Sequence, residues 1–365
     1  MYIYKKRVYI LLFGIVDVIG NILKVLFIIF RKTEKAEPKK ILVIRVDHIG
    51  DVVAATSVLA PLCKSFPSAE IDVMVPSWAE SLIAANPDIN NVIKFDPIWF
   101  KRKSYGFSAF LRAWSDMKNL IRNGKYDTVV DLRGDVRHIA AMFFGGARER
   151  ISYGITGGGF LLTHNVKYDL GVHELDKNIT LLRSLGVSSV DPKPKLAISD
   201  KDNEEACKIK KDEDIQGNFA VVHMVPGHDT KKWTADGFRE SIEFLIERKK
   251  MKVVVVGGGE DKRFIEEVIK PFAQDVVDLS GKTSLGVLGA LLKDALLFVG
   301  VDSGPLHIAA AQGVPCVVLF SGVNDPDKWV PRSDKIKVVY PGRGKDLAGV
   351  TADEVCRAID EVLEI

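Results

Sequence analysis

The chain has 365 residues, 47% hydrophobic and 27% charged, which is enough for two α/β domains with separate cores and excludes a small stapled protein. Its net charge of +3 is locally concentrated, and no nucleic-acid partner is expected. The four cysteines, Cys63, Cys207, Cys316 and Cys356, lie far apart with no CxxC or Cys/His spacing, which predicts buried thiols in a reducing compartment and no structural metal.

The basic charge sits at the start of the chain. Residues 1–40 hold nine Lys/Arg against three Asp/Glu, leaving −3 for the remainder. These cations flank an apolar run from Val8 to Phe30, with Lys5, Lys6 and Arg7 before it and Arg31, Lys32, Lys35, Lys39 and Lys40 after. Asp17, Asn21 and Lys24 recur at i, i+4 and i+7 and predict one narrow polar stripe on an otherwise apolar helix. As a bilayer span the run is marginal. Apolar residues worth roughly −0.3 to −0.6 kcal/mol each are largely offset by Asp and Lys at about +2.5 to +3.5 kcal/mol each. The expectation is a helix lying on an anionic membrane surface, at residues 1–37. Packing on the protein's own surface and a cleaved signal peptide are the alternatives, and no convincing cleavage site follows the run.

Lys39–Val46 is a continuous apolar strand, followed by Asp47-His48-Ile49-Gly50-Asp51 and a helical stretch from Val52 to Lys64. Asp51 would stand at a helix start beyond a strand's carboxyl end, where open α/β sheets keep their chemistry; by position alone it could equally be a helix cap. The alternation continues with strands at 70–75, 91–95 and 128–132 and helices at 78–85, 107–122 and 136–144, which argues for a doubly wound parallel sheet. Lys101-Arg102-Lys103 and Arg112 form a basic edge that either is solvated or faces an acidic acceptor or lipid. Gly157-Gly158-Gly159 is a loop of no evident use, and His173 begins an amphipathic helix ending at Gly186, and could cap it or reach a ligand. The prolines of Asp191-Pro192-Lys193-Pro194-Lys195 break the pattern and mark a domain boundary, giving domains over 38–200 and 201–365.

The second half restarts with a strand at 218–224, a loop carrying Lys231 and Lys232, and a helix from Ala235 to Glu247. Two lysines beyond a strand's carboxyl end could meet phosphate charge or simply be solvated. Lys252–Val256 runs into Gly257-Gly258-Gly259-Glu260, but Lys262 stands where a dinucleotide fingerprint needs glycine, and no Walker A pattern occurs. Glu260 could accept from a ribose or sugar hydroxyl, or favour the helix start through its dipole. A strand at 276–279 and a helix at 283–293 lead to residues 295–320, ALLFVGVDSGPLHIAAAQGVPCVVLF, which read strand, tight turn, helix, strand. Ser303 or Gly304 can cap that helix, Pro305 suits its first turn, and its exposed N–H groups make a phosphate or diphosphate the natural guest, with His307 one turn in. The last helix spans 351–363.

In order along the chain, ILVIRVDHIGDVVAATSVL, PGHDTKKW, VVVVGGGEDKRF and VDSGPLHIAAAQGVP resemble the heptosyltransferase family, glycosyltransferase family 9, over roughly residues 40–360. The resemblance implies a GT-B-like α/β fold: two Rossmann-like, doubly wound parallel-sheet domains facing a cleft, acceptor domain first and donor domain second. The N-terminal apolar helix is additional to it. It also implies an inverting transfer of a sugar, with ADP-heptose favoured, onto a lipopolysaccharide-core or related lipid-linked glycan, with no cofactor and no metal. The location implied is the cytoplasmic face of the inner membrane. By the same resemblance Asp51 matches the proposed general base and Lys231 the basic residue at the donor phosphates. Glu260 matches the acidic residue near the donor nucleoside, and Asp302, Ser303, Gly304 and His307 match the sugar-diphosphate motif. Met224-Val225 intervene between His223 and Pro226, where the family often reads His-Pro-Gly, so Lys232 is the alternative to Lys231. A nucleotide-sugar epimerase of the same fold and a non-catalytic sugar-nucleotide-binding relative are the competing readings.

Overall fold

The apolar runs become the strands of two six-stranded parallel sheets. The computed structural model describes residues 14, 16–18, 20–22, 37–100, 105–188, 193–259, 262–272 and 274–364. Glu260, the basic loop 101–103 and the flanking cations Lys5, Lys6, Arg7, Arg31, Lys32 and Lys35 therefore lie outside the described residues, whereas Lys39 and Lys40 are described. The first sheet comprises β1 (Lys40–Ile44), β2 (Glu70–Val75), β3 (Asn91–Lys94), β4 (Thr128–Asp131), β5 (Glu149–Ser152) and β6 (His164–Asn165), in the order β3-β2-β1-β4-β5-β6. The second comprises β7 (Phe219–His223), β8 (Lys252–Val256), β9 (Val276–Asp278), β10 (Leu297–Val301), β11 (Cys316–Leu319) and β12 (Ile336–Val339), in the order β12-β11-β10-β7-β8-β9. Adding six to each strand number of the first order and reversing it gives the second, so one topology occurs twice. Every neighbouring pair is parallel. This is the class the α/β alternation predicts.

The chain falls into two compact units. One takes residues 1–47, 55–80 and 86–192; the other takes 48–54, 81–85 and 193–365. The stretch after β1 is thus grouped with the second unit, and the later division comes at 192/193. Central strands are buried along their length, as in β7 and β10, because helices cover both faces of a parallel sheet. In the first unit the core includes Leu42, Ile44, Met74, Val129 and Ile139. In the second, Val222, Val253, Val299, Val317 and Phe238 lie at its centre.

Helices α1 (Ile49–Ala55) and α2 (Leu59–Ser65) replace the single helix expected over 52–64, with a short 3-10 turn at Thr56–Val58 between them. Pro61 explains the interruption, because it has no N–H to give to the Ser57 carbonyl. Further along are α3 (Phe107–Gly124), α4 (Val136–Phe144), α5 (Glu174–Ser184), α6 (Asp200–Asp212), α7 (Ala235–Glu247), α8 (Lys262–Ile269), α9 (Leu285–Asp294), α10 (Gly304–Ala311), α11 (Pro326–Trp329) and α12 (Ala352–Leu363). His173 does cap α5: its Nδ1 accepts from Leu175 N at 3.1 Å.

β7 and β10 pair with Gly300 opposite His223. A Cβ on Gly300 would lie 2.8 Å from the His223 carbonyl oxygen and 3.0 Å from Phe298 Cζ. Gly300 therefore lets the two strands that end at the site run side by side. Gly300→Ala should cost about 1–3 kcal/mol in urea unfolding, the usual range for an overfilled interior; an unchanged midpoint would show that the strands separate at no cost.

Candidate functional site

Strand order reverses between β7 and β10, so the loops leaving their carboxyl ends diverge and open a crevice there. The loop after β7 carries the two lysines. Its far end is fixed by Trp233, which is 3% exposed, donates from Nε1 to the Val350 carbonyl at 3.0 Å and meets the Phe238 ring edge-on. Gly237 lies directly under the indole, where a Cβ would come within 2.4 Å. With Trp233 immobilised, the 3-10 turn Asp229–Lys231 sends Lys231 to Asp302: Nζ lies 2.5 Å from Oδ2 and 3.4 Å from the main-chain oxygen. Lys232 points elsewhere, pairing at 2.7 Å with Asp229 in solvent. Despite the two-residue departure at Met224-Val225, Lys231 is the lysine at the strand ends.

Asp302 closes β10 and is 5% exposed. Its Oδ2 also accepts from Asn324 Nδ2 at 2.8 Å, across from the loop after β11. The carboxylate is thus clamped from two loops and in turn holds the Lys231 ammonium at the start of α10. Ser303 occupies the N-cap position of α10, yet its side chain caps no amide. Its hydroxyl lies 3.0 Å from His223 Nδ1 and 3.1 Å from the Val301 carbonyl. Ser303 thus takes the expected N-cap position, but its hydroxyl turns back to the strand ends and gives the first turn of α10 no side-chain cap. Pro305 stands in that turn, as expected.

Burial lowers the pKa of His223 to about 4, so its imidazole is neutral near pH 7. His223 and Asn324 were not singled out from the sequence as site residues. The first was legible only as the polar end of an apolar strand, and the second gave no signal.

The segment 48–54 of the same unit sits against α10. A Cβ on Gly304 would lie 2.6 Å from Ile49 Cβ, and one on Gly50 would lie 2.6 Å from His307 Cδ2 and 2.8 Å from its Nε2. Two glycines, one on each element, let α1 and α10 meet at their first turns. His307 faces α1 through this contact. The His48 carbonyl accepts from Val52 N at 3.0 Å, so His48 takes the cap position and Asp51 falls inside the first turn of α1. The capping role considered for Asp51 is therefore filled by its neighbour. Asp51 retains 11% side-chain exposure, with His48 Nδ1 at 3.6 Å.

In the first unit Asp47 is ion-paired with Arg133 and lies 3.8 Å from Arg45. At the switch point of the first sheet, the loop after β4 is ordered by Asp131, which accepts from Gly134 N and Ser152 Oγ, both at 2.8 Å, and contacts His138 Nδ1 at 2.9 Å. Arg133 from this loop and Arg137 from the first turn of α4 lie over the rings of Phe100 and Trp99, at 4.2 and 4.9 Å. In the sequence neither arginine stands out, since each is a single basic residue in a short polar stretch.

Two doubly wound sheets of matching topology, the second with a lysine held at a helix start beside its switch point, are the architecture of the GT-B fold. The chain belongs to glycosyltransferase family 9 (heptosyltransferase), whose family model matches residues 114–349. It is 26% identical over 339 residues to lipopolysaccharide heptosyltransferase 3 of Escherichia coli K12, covering 86% of this chain and 95% of that protein. Among solved structures it is similar to a glycosyl transferase family 9 protein from Veillonella parvula, at 22% identity and a TM-score of 0.80, covering 91% and 99% of the two chains. It is also similar to the E. coli heptosyltransferase WaaC with ADP-2-deoxy-2-fluoro heptose, at 19% identity and a TM-score of 0.69, covering 88% and 99%.

The depressed pKa of His223 has a consequence for stability. The unfolded chain takes up this proton near the ordinary value of 6.5 and the folded chain only near 4, so stability is full above pH 6.5 and is lost as pH falls toward 4. The loss attributable to His223 should reach about 3 kcal/mol. Urea unfolding at several pH values should show a shallower acid decline for His223→Gln than for the unaltered protein, and parallel curves would refute the assignment.

Proposed function

We propose that this glycosyltransferase moves a heptose from ADP-heptose to a lipopolysaccharide-core or related lipid-linked glycan, with inversion, at the cytoplasmic face of the membrane. The observation that carries the reading is the packing of α1 on α10: one compact unit holds both the Asp51 carboxylate and the Lys231–Asp302 pair at an anion-accepting helix start. The relatives support the substrates, since the E. coli protein it resembles is named for heptose transfer in lipopolysaccharide and WaaC was solved with an ADP-heptose analogue.

The chemistry follows from where charge changes. The acceptor hydroxyl loses a proton as it attacks the anomeric carbon, and Asp51 takes it. The departing ADP gains negative charge at its diphosphate, which the Lys231 ammonium and the first-turn amides of α10 stabilise because they are oriented beforehand. Asp302 and Asn324 serve this step by holding Lys231 rather than by touching phosphate, since a carboxylate there would repel it. Neutral His223 fixes the Ser303 hydroxyl without adding charge. One direct displacement inverts the centre. Arg133 and Arg137, the cations at the first sheet's switch point, suit acidic groups on the acceptor.

Asp51→Asn should leave the fold and donor binding intact and lower kcat by roughly 10²–10⁴. Near-normal turnover by a folded variant would remove Asp51 from the mechanism. For the donor side, Lys231→Ala should weaken ADP binding and slow transfer far more than Lys232→Ala, read by calorimetric titration with ADP and by initial rates. Equal effects would refute the placement of Lys231 at the diphosphate.

A further inference from the structure

The described part of the N-terminal helix is packed by its polar side. Asp17 is 8% exposed, and its Oδ1 accepts the N–H of Gly158 at 2.8 Å. Gly158 has φ +78°, a backbone shape that suits glycine and presents that N–H. Three residues after Asp17, Gly20 is buried on Phe160, whose ring lies 2.4 Å from where a Cβ would stand. The i, i+3 line Asp17–Gly20 is therefore the docking line, and the Gly157–Gly159 loop is its seat. Val16, Val18 and Ile22 point away and are 45%, 61% and 59% exposed. Asn21, one turn on, is exposed and donates from Nδ2 to the Asp17 carbonyl at 2.8 Å, as the expected stripe has it, and Lys24 lies outside the described residues. Among the described residues no helix is long and apolar enough to cross a membrane.

The same unit carries a second exposed apolar feature. Phe107, 74% exposed, and Leu111, 45% exposed, lie one turn apart on α3 in line with Trp114. The Trp114 ring meets Phe144 edge-on at 5.9 Å, and Phe144 meets Phe143 at 5.2 Å. Cations lie over this ridge: Lys118 above Trp114 and the Arg150 guanidinium 5.3 Å from the Phe143 ring. Arg150 also ties the ridge to the helix seat, because its Nε donates to the carbonyl of Leu161, next to Phe160.

We propose that the outward side of the helix and the α3–α4 aromatic ridge form one surface, and that its occupant is the headgroup layer of an anionic bilayer. Exposed aliphatic and aromatic side chains with cations set over the rings match the chemistry of that layer, where ring and chain carbon enters the acyl boundary and positive charge stays at the headgroups. The basic residues flanking the helix in the sequence, Lys5 to Arg7 and Arg31 to Lys35, have the same complement. The inference rests on the lipid-linked acceptor proposed above and adds which face meets the lipid.

The test is co-sedimentation of the full-length protein with phosphatidylcholine vesicles, with and without phosphatidylglycerol. The unaltered protein should bind the anionic vesicles and be partly released by high salt, since screening weakens the charge attraction and leaves apolar burial. Val18→Glu with Ile22→Glu, and separately Phe143→Ser with Phe144→Ser, should each reduce binding about tenfold. Both pairs should keep the thermal midpoint and the rate of transfer to a delipidated acceptor. Unaltered protein left in the supernatant overturns the proposal. So does full binding by either pair of variants, or a dimer without vesicles that these substitutions dissolve, which would assign the face to a second copy. Failure of the unaltered protein to transfer to the delipidated acceptor while still binding vesicles would instead sink the functional reading.

Discussion

The donor unit is organised around one clamped carboxylate. Asp302 ends the central strand β10, accepts from Lys231 and Asn324 through a single oxygen, and so joins the loops after β7 and β11 to the turn that starts α10. A buried ion pair of this kind is weak evidence for stability, because desolvation offsets much of the attraction. Its value is placement. An ammonium has three N–H donors, and the contacts to Asp302 occupy the side facing the strand, so the lysine is held in one pose beside an anion-accepting helix start. The neutral imidazole of His223 completes the arrangement at the adjacent strand end without competing for charge.

The same sheet topology is used twice and fitted out differently. Beyond the central strands of the second sheet stand one lysine, its counter-ion and the first turn of α10. Beyond those of the first stand two arginines laid on aromatic rings and a carboxylate-ordered loop. Differences in site chemistry therefore come from loop residues, while the strand cores stay interchangeable in character.

What the sequence made legible was whatever repeats along the chain. Continuous apolar runs gave the inner strands, and the turn from Val301 through Pro305 announced its helix by its small residues and its proline. Strands β5, β6 and β12 were not anticipated because they are short and partly exposed, so neither alternation nor a long apolar run marks them. The assignment of Asn324, the turning of Ser303 toward His223 and the grouping of residues 48–54 with the second unit depend on partners far away in sequence. No local pattern encodes them. Asp17 shows the same limit from the other side: helical periodicity correctly gave its spacing, yet said nothing of which side would be covered.

The seat beneath the N-terminal helix has a practical consequence. A chain begun at residue 37 would lose the carboxylate that receives the Gly158 N–H and the glycine that covers the Phe160 ring. Trimming for solubility would thus exchange a broad greasy exterior for a small scar, one backbone donor returned to water and one uncovered aromatic ring. Gly158 and Phe160 are therefore the places where a shortened enzyme calls for repair, by a substitute acceptor beside the loop or a polar residue in place of the ring.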